Sequence, residues 1–180
     1  MRQPILSLVL VLVALTVLSC GEQTTPVAEE AVTAEADVAA LGQSQDRSVE
    51  EAVHRFVDQT TEYFKTQQGA KFAEQYAPDL TACKDGMWIA DTSAYVAGFG
   101  EAVSQLHVHA LTWTRRQVYV LAPDAAVFAG EIKLTTSSGS SEERRDYQVA
   151  WTLLLRETGG KWKIVHEHTS HVFFDPAAEQ

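Results

Sequence analysis

Cysteine is almost missing from this chain: its 180 residues include two, Cys20 and Cys83. So small a number excludes a disulfide framework. Basic charge is also short. Lys and Arg total 14 against 24 Asp and Glu, a net charge of −10. With a pI of about 5.0, no basic face is available and no nucleic-acid partner is expected. Long apolar runs are lacking too. The longest, residues 5–18, falls short of the ~20 residues that a membrane-spanning helix needs. No internal repeat or second domain is visible. What remains is 46% hydrophobic, enough for one domain with its own core once a targeting segment is set aside.

The first twenty residues are that segment. Arg2 precedes the apolar run, whose length suits a signal-peptide core. The run ends Val17-Leu18-Ser19-Cys20-Gly21, which resembles the bacterial lipobox. That resemblance implies a lipoprotein signal peptide over residues 1–19, cleavage before Cys20, and diacylglyceryl and palmitate-type acylation there. The alternative is an ordinary secretory peptide with a Cys at its cleavage site. At ~0.8 kcal/mol per buried CH₂, several acyl chains hold a protein stably at a membrane. The expected place is the bacterial cell envelope, with the domain outside the cytoplasm. Cys83, left without a partner, reads as a small buried hydrophobe. Residues 20–47 lack aromatics and carry six acids against Arg47 alone. They read as an acidic disordered tether, with at most a transient helix over 31–41.

A domain is expected over residues 48–175, with 176–180 as a tail. Ser48 and Glu51 fit a capping box, and Val49, Val53, Phe56, Val57, Thr60, Tyr63 and Phe64 then recur at helical spacing as far as Gly69. A short helix over 70–77 ends before Pro78. A third follows Asp91 as N-cap, with Tyr95, Phe99, Val103 and Leu106 on one side. Short strands flank the turn at Asp85-Gly86. After Leu106 the chain reads as strand throughout: 107–121, 125–135, and a final pair, 146–156 and 161–170, joined at Gly159-Gly160. Helices first and antiparallel strands after argue for an α+β architecture.

The final strand alternates. Trp162, Ile164, His166, His168 and Ser170 share one side, and Lys163, Val165, Glu167 and Thr169 the other. Pairing Leu155 with Ile164 sets Leu153 opposite His166, Trp151 opposite His168 and Val149 opposite Ser170. A one-residue slip puts Lys163 and Glu167 among apolar groups, so burial is expected to select the register that turns both histidines inward.

A capped helix, a helix ending Tyr76-Ala77-Pro78-Asp79, the Asp85-Gly86-Met87-Trp88 turn, a third helix and the closing GGKWKIVHEHTS together resemble the nuclear transport factor 2-like superfamily, particularly its SnoaL-like branch. The closing motif also resembles the association domain of calcium/calmodulin-dependent kinase. The resemblance covers the whole domain. It implies a cone-shaped roll, three N-terminal helices on a curved, mostly antiparallel sheet, with a pocket at the open end and a homodimer through the sheet's outer face. Enzymes, scaffolds and binding modules share this fold.

The expected ligand-binding residues are His166, His168, Ser170, Tyr147, Trp151 and Trp88. Imidazole serves as acid, base or ligand near neutral pH, and Tyr and Trp supply an apolar body with a polar tip. Hydrogen-bonded core histidines are the bland alternative. A metal would need a third ligand from Asp79 or Asp85, and neither a metal nor a cofactor is expected. Ser170 lacks the strained elbow of a nucleophile. Trp162 reads as core and Trp113 as a possible lining group. Arg115, Arg116, Arg144 and Arg145 read as solvated surface, while His54, His107, His109 and His171 have no assignable partners. In the superfamily's isomerases a pocket carboxylate does the catalysis, and by the parity above Glu167 and Asp146 point outward. The leading expectation is therefore a non-catalytic, membrane-anchored lipoprotein whose domain binds a small apolar or aromatic molecule, or acts as scaffold. The alternative is an isomerase or cyclase using His166 or His168 as base and Tyr147 as donor, favoured by a carboxylate from Asp79, Asp85 or Asp91 near the histidines.

Overall fold

A computed structural model describes residues 28–138 and 143–174, with side chains over 43–137 and 143–172. The signal peptide, Cys20 and the tail lie outside the described residues. The chain divides into two compact units, residues 1–37 and 38–180, and all strands belong to the second. The order is α1 (Ala28–Lys65), α2 (Gly69–Ala73), β1 (Tyr76–Lys84), β2 (Met87–Ile89), α3 (Thr92–Gln105), β3 (Leu106–Ala122), β4 (Ala125–Ser138), β5 (Arg145–Thr158) and β6 (Lys161–Phe174).

The helix expected to start at Ser48 is continuous from Ala28, so Ser48 lies inside it and has no helix end to cap. Residues 28–47, expected as an unstructured spacer, are rich in Ala, Glu and Gln, which are strong helix formers. The apolar stripe lies where the spacing places it: Val49, Val53 and Val57 are buried, as is Thr60, whose hydroxyl donates to Phe56 O at 2.8 Å. The second helix is one short turn, and Tyr76, expected at its end, begins β1 instead. Pro78 stops the helix and is tolerated near the start of a strand. Asp91 caps α3, accepting from the Ala94 N–H at 2.9 Å.

Six strands form one curved sheet in the order β2-β1-β6-β5-β4-β3. Every pairing is antiparallel except β1 with β6. The concave face packs against the helices through Ala126, Phe128, Ile132, Trp151, Leu153, Leu155 and Ile164, which form one core with Val53, Val57, Phe72 and Val103 of the helices and Tyr76 at the start of β1. Helices α2 and α3 approach so closely that a Cβ on Gly69 would overlap the Gly100 carbonyl. The fold is the α+β roll that the element order implied.

The closing hairpin is tight, as expected. Gly159 and Gly160 adopt positive φ of 60° and 77°, Thr158 pairs with Lys161, and Leu155 pairs with Ile164. Beyond Ile164 the expected register fails. A bulge at Val165 leaves Leu154 opposite His166, Leu153 opposite Glu167, Trp151 opposite Thr169 and Val149 opposite His171. β1 is irregular beside the same residues, between Tyr76 and Thr81. One extra residue exchanges the two faces of the strand. Glu167 is 1% exposed, whereas His168 and Ser170 are on the solvent side.

Candidate functional site

The concave face and the helices enclose a cavity of about 310 Å³, at the lower end of typical ligand pockets. Every long element contributes. Phe64 comes from α1, Phe72 from α2, Phe99 and Val103 from α3, Leu111 from β3, and Ile132 and Leu134 from β4. The hairpin supplies Tyr147, Val149 and Trp151 from β5, and Glu167, Thr169 and His171 from β6. The alternation that makes these strands amphipathic also places one lining residue every second position.

Glu167 organises the polar part of this apolar space. One carboxylate oxygen accepts from the Trp151 indole N–H at 2.9 Å and the Thr169 hydroxyl at 2.7 Å; the other accepts from the Tyr95 hydroxyl at 3.3 Å. The donors come from β5, β6 and α3, so the carboxylate ties the hairpin to the third helix. A carboxylate accepts about four hydrogen bonds, so acceptor capacity remains. Tyr76 also lies close. Burial, and then the charge of Glu167, push its hydroxyl well above the usual tyrosine range, although it makes no well-formed hydrogen bond. Burial likewise raises the Tyr95 hydroxyl, again with Glu167 beside it. Both phenols therefore remain protonated at neutral pH. Trp151 stacks on Trp113 with ring centroids 6.4 Å apart, and Trp113 meets Phe128 edge-on.

The expected residues divide. Tyr147 and Trp151 line the cavity, and Trp113 backs it. His166, His168 and Ser170 belong to the opposite face of the sheet, because the Val165 bulge reverses their side. There His166 Nδ1 meets the Thr81 hydroxyl at 2.7 Å. Trp88 is 64% exposed on β2 and is not among the residues lining this cavity. Asp79 pairs with Arg156 at 2.8 Å and Asp91 is a helix cap. Asp85 does reach a histidine, but it is His171, at 2.8 Å. Arg116, expected as solvated surface, pairs with Asp58 at 2.7 Å and lies over the Trp113 ring.

The residues missed are Glu167, Tyr95, Thr169 and His171. Sequence reasoning turns Glu167 outward because an inward carboxylate among apolar groups is costly, yet three donors from separate elements satisfy it. A strand end with Glu, Thr and His at alternate positions was the available signal. Among the described residues no three His, Cys, Asp or Glu side chains cluster so as to hold a metal ion. Nor is any helix among them long and apolar enough to cross a membrane.

No curated protein is significantly similar to the chain. Solved structures with the same fold are numerous. One from Xanthomonas campestris, named as a calcium/calmodulin-dependent protein kinase II association domain, is 23% identical, with a TM-score of 0.57 over 67% of this chain and 86% of that one. A protein of Novosphingobium aromaticivorans named as a scytalone dehydratase is 8% identical, with a TM-score of 0.62 over 72% and 88%. A ketosteroid isomerase-like protein of Erwinia carotovora is 12% identical, with a TM-score of 0.56 over 66% and 92%. At these identities the likeness is one of fold. The model of the SnoaL-like domain matches residues 53–175, which takes in α1 from Val53, every strand and the whole cavity lining: the chain belongs to the SnoaL-like domain family, within the nuclear transport factor 2-like fold.

Proposed function

We propose that this is a lipid-anchored protein of the bacterial envelope whose SnoaL-like domain binds a small, partly apolar molecule. The leader and Cys20 support the anchor. One observation carries the binding reading: an apolar cavity of about 310 Å³ with a single buried carboxylate, Glu167, fixed in orientation and still able to accept a hydrogen bond. A ligand with an apolar body and one donor group would complement this lining, burying its apolar part and meeting the carboxylate. The test is mass spectrometry of small molecules retained by the purified full chain, compared with Val149→Trp, which fills the cavity from β5. Retention by the parent and loss in the variant support the reading. Two samples equally empty, with no stabilisation of the parent by small aromatic compounds, would refute it. Cys20→Ala is expected to move the protein from the membrane to the soluble fraction.

A second reading, isomerase or cyclase chemistry, is favoured by the same carboxylate. Its base is then Glu167 with Tyr95 as the neighbouring donor, rather than His166 or His168, which face outward. The two readings separate on Glu167→Gln. An enzyme keeps its ligand and loses turnover, whereas a binding module loses affinity and has no turnover to lose. We further infer a homodimer through the outer face of the sheet, where Tyr119, Leu121 and Val172 are exposed; light scattering of Leu121→Glu tests it.

A further inference from the structure

Among the residues lining the cavity only Ala102 and His171 are exposed, so they mark its opening. His171 is held there by unusual means. Asp85 occupies the turn after β1 at a positive φ of 50°, a conformation Asp tolerates better than most residues. Its N–H donates to Thr169 O at 2.9 Å. One carboxylate oxygen accepts from the His171 N–H at 3.0 Å and meets the ring Nδ1 at 2.8 Å. The ring also packs against Tyr147, centroids 5.8 Å apart. The neighbouring charge is Lys84, whose ammonium lies 5.7 Å from the centre of the Phe99 ring.

A carboxylate can only accept, so Nδ1 carries the proton. In the neutral ring the lone pair is then on Nε2, which has no partner among the described residues. The cavity therefore has an acceptor at its floor, Glu167, and a second at its mouth, with an aromatic and aliphatic wall between them. Complementarity specifies the occupant.

We propose that His171, aligned by Asp85, is a ligand-binding group of this cavity, and that the ligand is a small molecule with an apolar body and a hydroxyl-type donor at each end. One donor goes to Glu167 and the other to His171 Nε2. This rests on the binding reading of the cavity.

The test uses para-hydroxyphenacyl bromide on the full chain, with modified peptides mapped by mass spectrometry. The phenol is the donor offered to Glu167, and the bromomethyl carbon is the end offered to His171. The Nε2 lone pair forms the new N–C bond as the C–Br bond breaks. Bromide leaves with the bonding pair, and the resulting imidazolium is ion-paired with Asp85. His166 and His168, on the other face, are internal controls. His171 is expected to react roughly tenfold faster than either, as for a group with its reagent held beside it. Saturating para-hydroxyacetophenone, the unreactive analogue, should abolish that advantage. Equal rates at the three histidines, with analogue binding still detected by ligand-observed NMR, would overturn the role of His171 while leaving the cavity reading intact. A fast His171 that the analogue does not protect also overturns it. Absence of analogue binding would remove the cavity reading and this proposal together.

Discussion

Replacing Glu167 by Leu should destabilise the protein far more than replacing it by Gln, and the difference follows from the three donors. In Glu167→Leu the indole N–H of Trp151, a buried side chain stacked on Trp113, loses its acceptor. The Tyr95 and Thr169 hydroxyls, both half-buried, lose theirs in part. At ~1–3 kcal/mol for each buried donor left unmade, counting one in full and two in part gives a loss of roughly 3–5 kcal/mol. The leucine returns ~1–2 kcal/mol through its apolar surface, leaving a net loss of about 1–4 kcal/mol. Glu167→Gln keeps an oxygen for Trp151 and Thr169 and turns its amide toward the Tyr95 oxygen, which can accept. Its cost should stay within about 1 kcal/mol, the gap between charge-assisted and neutral hydrogen bonds. Urea unfolding followed by tryptophan fluorescence measures both, with an unchanged denaturant slope as the condition for comparing midpoints. Glu167→Leu as stable as the parent would refute the reasoning. The carboxylate would then not be the inward group, and the bulged register would be wrong with it.

The outward histidines supply a second prediction: His166→Ala and His168→Ala should leave small-molecule retention unchanged, because the Val165 bulge turns them from the cavity, while His171→Ala should reduce it. Equal loss in all three would contradict this. Gly69→Ala should cost roughly 1–3 kcal/mol by overpacking, since its Cβ meets the Gly100 carbonyl. Gly100→Ala should cost less, its nearest contact being 2.9 Å from the Gly69 oxygen; thermal unfolding ranks them. At alkaline pH, Tyr76 and Tyr95 have folded pKa values raised above their unfolded value. Their contribution is complete below the unfolded pKa of about 10 and is lost as pH rises beyond it toward the folded values. Phenolate absorbance should show both ionising only with unfolding. Early ionisation of all five tyrosines in folded protein would contradict their burial beside Glu167. Asp91, whose carboxyl is held low first by the Ala94 N–H and then by Ser93, should lose its capping contribution as pH falls through that lowered value, and Asp91→Ala should remove the acid sensitivity along with some helix.

Much of the fold was legible because it depends on neighbours in sequence. The Val49, Val53, Val57 stripe follows from a helical period, the α3 start from Asp91 ahead of an apolar face, and the hairpin from Gly159-Gly160, where tight turns need positive φ. Those features require no knowledge of distant residues. The site was half legible: Tyr147 and Trp151 come from β5, which is regular throughout its pairing with β4. The other half depends on β6, where alternation names two faces without saying which is inside. The sequence offers only the rule that a carboxylate avoids an apolar interior, which is sound when the interior has no donors to offer. Here Trp151, Thr169 and Tyr95 converge on one point, and β1 departs from regular pairing beside the same bulge. Local sequence determines where strands and turns form. Which face of β6 looks inward is a cooperative outcome of groups far apart along the chain, and only the tertiary structure decides it.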